Sequence, residues 1–145
     1  MSSITGVIDG RDRLVTFVTI GISSGQRSAK GGAHPDIRVR GFWDTGADVL
    51  VVDSHFVRHL ELDSRGLTSA IVGGAKRYTP TFSIDVRLEI DGEVFLIQNA
   101  QCIADRELRR NNHYDMLVGK PILDRVVFSY DGPNRVFSVW NSLPM

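Results

Sequence analysis

A carboxylate in the middle of an apolar stretch is the feature that most constrains this chain. Residues 38–52 read RVRGFWDTGADVLVV, with strand-like apolar runs on both sides of the tetrad at 44–47. Burying an unpaired carboxylate is costly, because the charge loses its hydration and gains no compensating contact. The sequence therefore predicts that Asp44 is buried and faces a partner group elsewhere in the molecule.

Short alternating segments rich in Val, Ile, Phe and Thr dominate the sequence and predict an all-β fold with minor helix. They cover residues 14–22, 37–43, 49–52, 82–90, 93–103 and 135–140. Asp-Gly pairs between such segments are typical of hairpin turns. These turns are predicted at residues 9–10, 91–92 and 131–132.

Helix signals are few and short. Residues 53–62 begin with cap-type residues and place apolar side chains at helical spacing, so they predict one helix. Pro121 is compatible with the first turn of another. Residues 104–114 are polar and fit either a helical turn or a surface loop. Residues 23–35 are rich in Gly and Ser and predict a mobile loop between two strands.

The length and charge of the chain narrow its class. Its 145 residues fit one domain, which we predict to span residues 1–145. Lys plus Arg and Asp plus Glu both number 17, which argues against nucleic-acid or anionic-membrane partners. The one cysteine, Cys102, fits a reducing compartment. Because no apolar run approaches the roughly 20 residues of a membrane span and residues 1–13 lack a signal core, we expect a cytoplasmic protein.

The residues of the tetrad suit a catalytic turn. Gly46 lets the backbone turn or approach another backbone closely, the Thr45 hydroxyl can tie the turn to a neighbour, and Ala47 leaves room beside the carboxylate. A carboxylate held in this way is useful when it faces a second one. Two carboxylates about 3 Å apart share one proton, so one can activate a water while the other protonates a carbonyl.

Three segments resemble known motifs in a single family. DTGA after an apolar strand resembles the active-site signature of retroviral-type aspartic proteases, the retropepsins. Residues 115–131, DMLVGKPILDRVVFSYD, resemble the second signature of that family, and residues 70–80, AIVGGAKRYTP, resemble its flap hairpin. The segments follow the family's order and spacing. The resemblance implies a single-domain acid-protease β-barrel, closed, with a flap hairpin and a short C-terminal helix, acting as a homodimer.

The resemblance also implies roles for individual residues. The catalytic group would be Asp44, Thr45 and Gly46, with Thr45 interlocking with its counterpart across the dimer. Gly73 and Gly74 would form the flap tip over the substrate. The substrate-binding residues would be Ala47, Asp48, Ile71, Val72, Gly73, Gly74 and Val118.

Gly119 follows the family pattern, because it would let residues 117–119 pack beneath the tetrad. Other positions depart from that pattern. Lys120 stands where retroviral members favour Arg, and it can pair with Asp48 without the planar fork of a guanidinium. Leu50 replaces a common Thr, which removes a hydrogen bond beneath the turn. With the long Gly- and Ser-rich segment, these departures suggest a cellular or bacterial relative.

One chain carries a single Asp-Thr-Gly, which is half of a dyad. A symmetric homodimer in which each chain supplies one Asp44 completes it, with strands near residues 4–8 and 136–140 as the remaining contacts. We therefore expect an aspartic endopeptidase that acts on peptide or protein substrates without a metal or organic cofactor. One alternative is a weakly active or inactive protease-fold module for dimerisation or peptide binding. Another is an enzyme that first processes its own termini.

Other chemically capable residues have ordinary interpretations. His55 and His59 have a metal-capable spacing, but without a third ligand nearby we predict surface histidines and no metal site. Cys102 lies in an apolar strand and is expected to be a buried, inert thiol. Trp43 fits core packing better than a role in shaping a pocket.

Overall fold

The computed structural model describes residues 3–7, 13–26, 35–72, 74–90, 93–106 and 108–140. Its strands are β1 (Ser3–Val7), β2 (Val15–Ile22), β3 (Ile37–Trp43), β4 (Leu50–Asp53), β5 (Gly66–Val72), β6 (Ala75–Ile90), β7 (Glu93–Asp105), β8 (Met116–Val118), β9 (Val127–Asp131) and β10 (Val136–Trp140). Short helices lie between them: α1 (Ser54–His59), α2 (Leu108–Asn112) and α3 (Lys120–Leu123).

The main sheet closes on itself. Within the described residues, β2, β3, β8, β4, β7 and β6 follow one another in this order, and pairing between β2 and β6 completes a barrel. The β3–β8 and β4–β7 pairs are parallel, whereas the other pairs in the ring are antiparallel. β5 lies outside the ring and extends β6 as a hairpin arm. The prediction of an all-β fold with a closed barrel is confirmed.

The core follows from the period-two pattern of the strands. On β2, Val18 and Ile20 are buried, whereas Phe17 beside them is 55% exposed. Trp43, at the end of β3, is also buried, and its Nε1 donates a hydrogen bond to Thr16 Oγ1 at 2.8 Å. The expectation that Trp43 packs in the core is therefore confirmed. Burial of each such side chain contributes about 2 kcal/mol to stability.

The helices begin where the sequence predicts. Asp53 caps α1, because its Oδ1 accepts a hydrogen bond from His55 N at 2.9 Å. Pro121 lies in the first turn of α3. The open question at residues 104–114 is resolved, since β7 continues to Asp105 and α2 follows it. No helix among the described residues has the length and apolar composition that a bilayer crossing requires.

The prediction of a mobile loop at residues 23–35 is wrong for its first part. Gln26 is buried, its Nε2 donates to Glu61 O at 2.9 Å, and its Oε1 accepts from Asp63 N at 3.1 Å. The amide thus satisfies backbone groups that follow α1, so this polar residue is buried with hydrogen-bond partners. Residues 27–34 lie outside the described part of the chain.

The hairpin turns agree with the Asp-Gly pairs where they can be compared. β9 and β10 form a hairpin after Asp131, whose carboxylate accepts hydrogen bonds from Asn134 Nδ2 at 2.8 Å and Asn134 N at 3.2 Å. These bonds lower the pKa of Asp131. β6 and β7 pair as a hairpin, although the turn residues 91–92 lie outside the described residues, as do residues 9–10.

β1, β10 and β9 form a second, antiparallel sheet with β10 in the centre. This sheet packs against the barrel through Phe128, whose ring centroid lies 6.5 Å from that of Trp43. The strands expected as dimer contacts, near residues 4–8 and 136–140, therefore pair with each other inside one chain. Ile8 itself lies outside the described residues. Any contact of β10 with a second copy would have to use side chains, because both of its backbone edges are occupied.

Asp115, just before β8, is a buried carboxylate held by two arginines. Its Oδ2 accepts a hydrogen bond from Arg40 N at 2.7 Å, and the Nε atoms of Arg109 and Arg40 lie 3.3 and 3.6 Å from its oxygens. Arg109 N also donates to Asp53 Oδ2 at 3.0 Å. These contacts join the start of β8 to β3, to α2 and to the cap of α1.

We expect Asp115→Ala to lower the free energy of unfolding by about 2 kcal/mol, because the part-buried Arg40 N–H loses its acceptor and two half-exposed guanidinium groups lose their counter-charge. Urea unfolding followed by circular dichroism measures this change. The control is Asp48→Ala, which removes an 84% exposed side chain paired with Lys120 and should cost about 0.5 kcal/mol or less. Similar losses for the two variants would contradict the structural role given to Asp115.

Candidate active site

Asp44 lies where the chain leaves β3 and enters a tight turn. Its backbone N donates to Val118 O at 3.0 Å, and its backbone O accepts from Ala47 N at 3.1 Å. Its Oδ1 accepts a hydrogen bond from Gly46 N at 2.9 Å. The carboxylate therefore has a fixed orientation at the end of the barrel wall.

The prediction that Asp44 is buried is wrong for the single chain, because its side chain is only partly buried. The apolar run is two barrel strands, and the chain turns towards the surface between them, so Thr45 and Gly46 are exposed. Among the described residues, Asp44 Oδ2 has no hydrogen-bond partner. Burial of this carboxylate would require a second molecule over the turn.

Three carboxylates among the described residues are buried, and each of them accepts hydrogen bonds from backbone N–H groups. They are Asp53, Asp85 and Asp115. Asp85 accepts hydrogen bonds from Ser24 N and Oγ at 3.3 and 2.8 Å and from Asn99 N at 3.0 Å. Asp44, by contrast, is held in position by one hydrogen bond and stays partly exposed, so a ligand or a partner chain can reach it.

Gly119 allows the second segment of the resemblance to lie against the tetrad. Lys120 N donates to Ala47 O at 2.9 Å. A Cβ on Gly119 would collide with Val49 O and would come within 2.6 Å of Ala47 O, so no larger residue fits without moving the backbone. The expected packing of residues 117–119 beneath the tetrad is thus the arrangement in the structure.

Two further family positions are placed beside the turn. Lys120 Nζ lies 3.4 Å from Asp48 Oδ1, and both side chains are exposed, which makes the ion pair weak. Leu50 is fully buried in the barrel core. A hydroxyl, as expected here from the retropepsin pattern, is absent, and backbone hydrogen bonds hold the turn.

The expected flap is a hairpin of β5 and β6, with Val72 paired to Ala75. Gly74 has φ +82°, a backbone conformation that suits glycine in a tight turn. Ile71 is 75% exposed and available to a ligand. Gly73 lies outside the described residues, and so does the side chain of Val72.

The sequence analysis did not identify two exposed residues of this hairpin. Leu67 and Tyr78 are 71% and 76% exposed, and cross-strand pairing places both on the same face as Ile71. Because β6 is one continuous strand, this face continues the one that carries the buried Phe82 and Ile84. The sequence did contain a signal for this face, because Leu67 and Ile71 lie an even number of positions apart in a strand and therefore point to the same side.

The assignment of Val118 to substrate binding is corrected, because its side chain is fully buried in the barrel core. β8 alternates, so the neighbouring Leu117 points the other way and is half-buried. There it packs in a small apolar cluster with Tyr114, whose ring lies 5.1 Å from that of Phe42. An apolar surface beside the tetrad, here called the apolar ledge, is formed by Leu117, Tyr114 and Phe42. The sequence analysis did not identify these three residues.

Tyr114 lies close enough to Asp44 to sense its charge. Burial raises the pKa of Tyr114, the Arg13 guanidinium lowers it, and the negative charges of Asp44 and Asp105 raise it. The guanidinium carbon of Arg13 lies 5.7 Å from the centre of the Tyr114 ring. The ledge therefore includes a protonated phenol, and a cation lies beside its ring.

The remaining chemically capable residues lie away from the tetrad. Burial raises the pKa of Cys102 to about 12, so its thiol stays protonated at neutral pH, as the expected inert thiol does. The exposed His55 and His59 rings stack with their centroids 6.1 Å apart. Within the described ranges, no group of three or more metal-ligating side chains is arranged to hold a metal ion.

A retropepsin-like aspartic protease from Rickettsia conorii superimposes on this chain with a TM-score of 0.61. The similarity covers 96% of this chain and 93% of the rickettsial protein, at 13% sequence identity. The chain has a retropepsin-like fold. The retroviral protease-like domain of Ddi1 from Leishmania major overlaps less well, with a TM-score of 0.43 and 17% identity over 88% of this chain and 93% of that domain. No protein-family model and no curated protein matches the sequence.

We expect Gly119→Ala to destabilise this retropepsin-like fold by about 3 kcal/mol, because the new Cβ meets two backbone carbonyls that cannot move independently. Thermal unfolding measures the loss. The matched control is Gly25→Ala, where the nearest atom to a new Cβ is 3.7 Å away and the change should be within about 0.5 kcal/mol. A stable Gly119→Ala variant would contradict the close approach of β8 to the tetrad.

Proposed function

We propose that this protein is an aspartic endopeptidase that acts as a symmetric homodimer, with one Asp44 from each subunit forming the catalytic dyad. The observation that carries the proposal is the Asp44 turn itself. Its carboxylate is fixed by Gly46 N and is braced by β8, yet it remains accessible in one chain. One chain supplies one such group, so the chemistry requires a second copy.

In the proposed reaction, a water bound between the two Asp44 carboxylates attacks the carbonyl carbon of the scissile peptide bond. Two carboxylates in contact cannot both ionise, so they hold one proton between them. The ionised group takes a proton from the water, and the protonated group gives its proton to the carbonyl oxygen. The carboxyl that took the proton from the water then gives it to the leaving nitrogen, the other carboxylate takes a hydroxyl proton from the tetrahedral intermediate, and the carbon–nitrogen bond breaks. The residues of the chain suffice for these steps, and no cofactor is invoked.

Peptide binding would use the surfaces on either side of this dyad. The flap hairpin carries exposed Ile71 and Gly74, which would close over an extended peptide and limit access of water. Ala47 and Asp48 lie in the turn beside the carboxylate, and Leu117 takes the substrate-facing role first given to Val118. The sole cysteine of the sequence is buried, which supports the further proposal that the enzyme works in the cytoplasm.

We expect Asp44→Asn to reduce peptide cleavage by roughly 10³-fold or more, because a carboxamide can neither take a proton from water nor share one with its twin. The variant should fold, since the side-chain carbonyl can still accept the hydrogen bond from Gly46 N. Cleavage of a denatured protein mixture, with and without a pepstatin-type inhibitor, measures the effect. Asp124→Asn makes the same chemical change at an exposed residue after α3 and should retain activity.

The outcomes of this assay separate the candidate functions. Equal cleavage by the wild type and Asp44→Asn would exclude Asp44 as the catalytic group. No cleavage by either protein over a broad pH range would favour the inactive module for dimerisation or peptide binding. Time-dependent shortening of the wild type that Asp44→Asn abolishes would reveal processing of its own termini.

We expect Ala47→Ser to move the acidic limb of the pH–rate profile to lower pH by roughly 0.5–1 unit, because a hydroxyl that donates to a carboxylate stabilises its charged form. The wild type lacks this donor, so its pH optimum should be less acidic than that of Ala47→Ser. Initial rates on one peptide substrate, measured for both proteins from pH 2 to about pH 8, give the comparison. A wild-type maximum below about pH 3, or an unmoved limb in the variant, would contradict this role for position 47.

A further inference from the structure

We propose that the outer surface of the barrel wall at β2, β3 and β6 docks an acidic segment of the peptide substrate, away from the bond that is cut. This surface, here called the arginine face, consists of Phe17, Arg38, Arg40 and Arg87. The inference rests on the proposed function, because it assigns a class of substrate to the endopeptidase. The substrates that bind best would carry Asp or Glu residues at some distance from the scissile bond.

Strand register brings the four side chains of the arginine face together. Arg38 and Arg87 lie on either side of Thr19, because β2 pairs with β3 at one edge and with β6 at the other. Phe17 lies opposite Arg40 in the same β2–β3 ladder. The alternate residues of these three strands fill the barrel core, so the side chains of the arginine face point to the outside of the barrel.

Arg38 is the residue of this face that is best placed to bind a carboxylate from another molecule. Its guanidinium carbon lies 4.0 Å from the centre of the Phe17 ring, and that ring side chain is 55% exposed. Within the described ranges, no carboxylate lies at ion-pair distance from Arg38. A guanidinium that stacks on an aromatic ring keeps the N–H groups at its edge available for a carboxylate. Arginine and aromatic side chains are also enriched where proteins bind other chains.

The charges around the arginine face favour an acidic ligand. Arg87 Nε lies 2.9 Å from Asp36 Oδ2. Arg40 Nε lies 3.6 Å from Asp115 Oδ2, and that carboxylate is buried. The two arginine side chains nevertheless remain 42% and 44% exposed. The exposed Glu89 lies on β6, two strands away from β3. Because the three guanidinium groups outnumber the two carboxylates that pair with them, a ligand with carboxylates complements this surface.

The arginine face is continuous with the apolar ledge beside the tetrad. Phe42 of the ledge lies on β3, and Arg40 and Arg38 follow it at every second position on the same side of the strand. A strand advances about 3.3 Å per residue, so Arg40 and Arg38 lie roughly 13 and 20 Å from Asp44 along β3. An extended peptide that leaves the site along this wall needs about six residues to reach Arg38. The acidic segment is therefore expected at about that distance from the scissile bond.

A binding assay that does not depend on catalysis tests the arginine face. The probe is a short fluorescein-labelled peptide of Glu, Ser and Leu, and the full chain carries Asp44→Asn so that the probe stays intact. Fluorescence anisotropy gives the dissociation constant. We expect Arg38→Glu to raise this constant by about tenfold or more, because the exchange replaces attraction with repulsion. The matched control is Arg58→Glu at an exposed position of α1, which should stay within about twofold. Equal constants for the two variants would overturn the proposal.

Changes to the ligand and to Phe17 test the chemistry of the surface. A probe with Gln in place of Glu should bind about tenfold more weakly, because it keeps the size of the side chains and loses their charge. Phe17→Ser should weaken binding of the acidic probe by about threefold, since it removes the ring beneath the Arg38 guanidinium. Equal binding of the two probes would overturn the proposal. Duplex DNA that binds more tightly than the acidic probe at the same ionic strength would also overturn it.

Cleavage kinetics distinguish this proposal from the proposed function. For a peptide with an acidic segment about six residues from the scissile bond, Arg38→Glu should raise KM and leave kcat within about twofold, because a remote contact contributes equally to the ground and transition states. Asp44-dependent cleavage with a KM insensitive to Arg38→Glu would remove the arginine face and leave the dyad in place. Binding of the acidic probe that Arg38→Glu abolishes, without Asp44-dependent cleavage, would support the arginine face as a peptide-binding surface and remove the endopeptidase.

Discussion

The backbone hydrogen bonds between the Asp44 turn and the β8 segment hold the site together. Asp44 N donates to Val118 O on one side of Gly119, and Lys120 N donates to Ala47 O on the other. The turn is thus fixed by main-chain groups, which do not depend on side-chain identity. The turn can therefore keep its shape although position 50, where the retropepsin pattern expects a hydroxyl, holds the buried Leu50.

The buried carboxylates of this molecule differ from Asp44 in their hydrogen bonds and exposure. Asp53, Asp85 and Asp115 are buried, and backbone N–H groups satisfy each of them. Asp44 has one such bond and a partly exposed side chain. Because an uncompensated charge is tolerated only where water or a partner reaches it, the partly exposed turn is a position where the Asp44 carboxylate can stay charged. The apolar ledge, which includes the Tyr114 ring, adjoins this turn.

Much of the fold was predictable because its strands are long enough to show their alternation. β6 presents the buried residues Phe82, Ile84, Val86 and Leu88 at every second position, and the tetrad is contiguous in the sequence. The errors have local causes. β8 is only three residues long, so the sequence could not show whether Leu117 or Val118 faces the core. Gln26 is held by residues more than 30 positions away, and the exposure of Asp44 depends on a turn hidden inside an apolar run.

The insertion of β8 between β3 and β4 has a consequence for biosynthesis. During translation the Asp44 turn leaves the ribosome before the strand that braces it, Met116–Val118, has been made. Until then β3 and β4 lack their common neighbour, and the barrel wall stays open. Because pairing between distant segments is slow, the Asp44 turn acquires its final shape only after β8 has joined β3 and β4. The carboxylate of a nascent chain would therefore lack its fixed orientation until the barrel wall has closed.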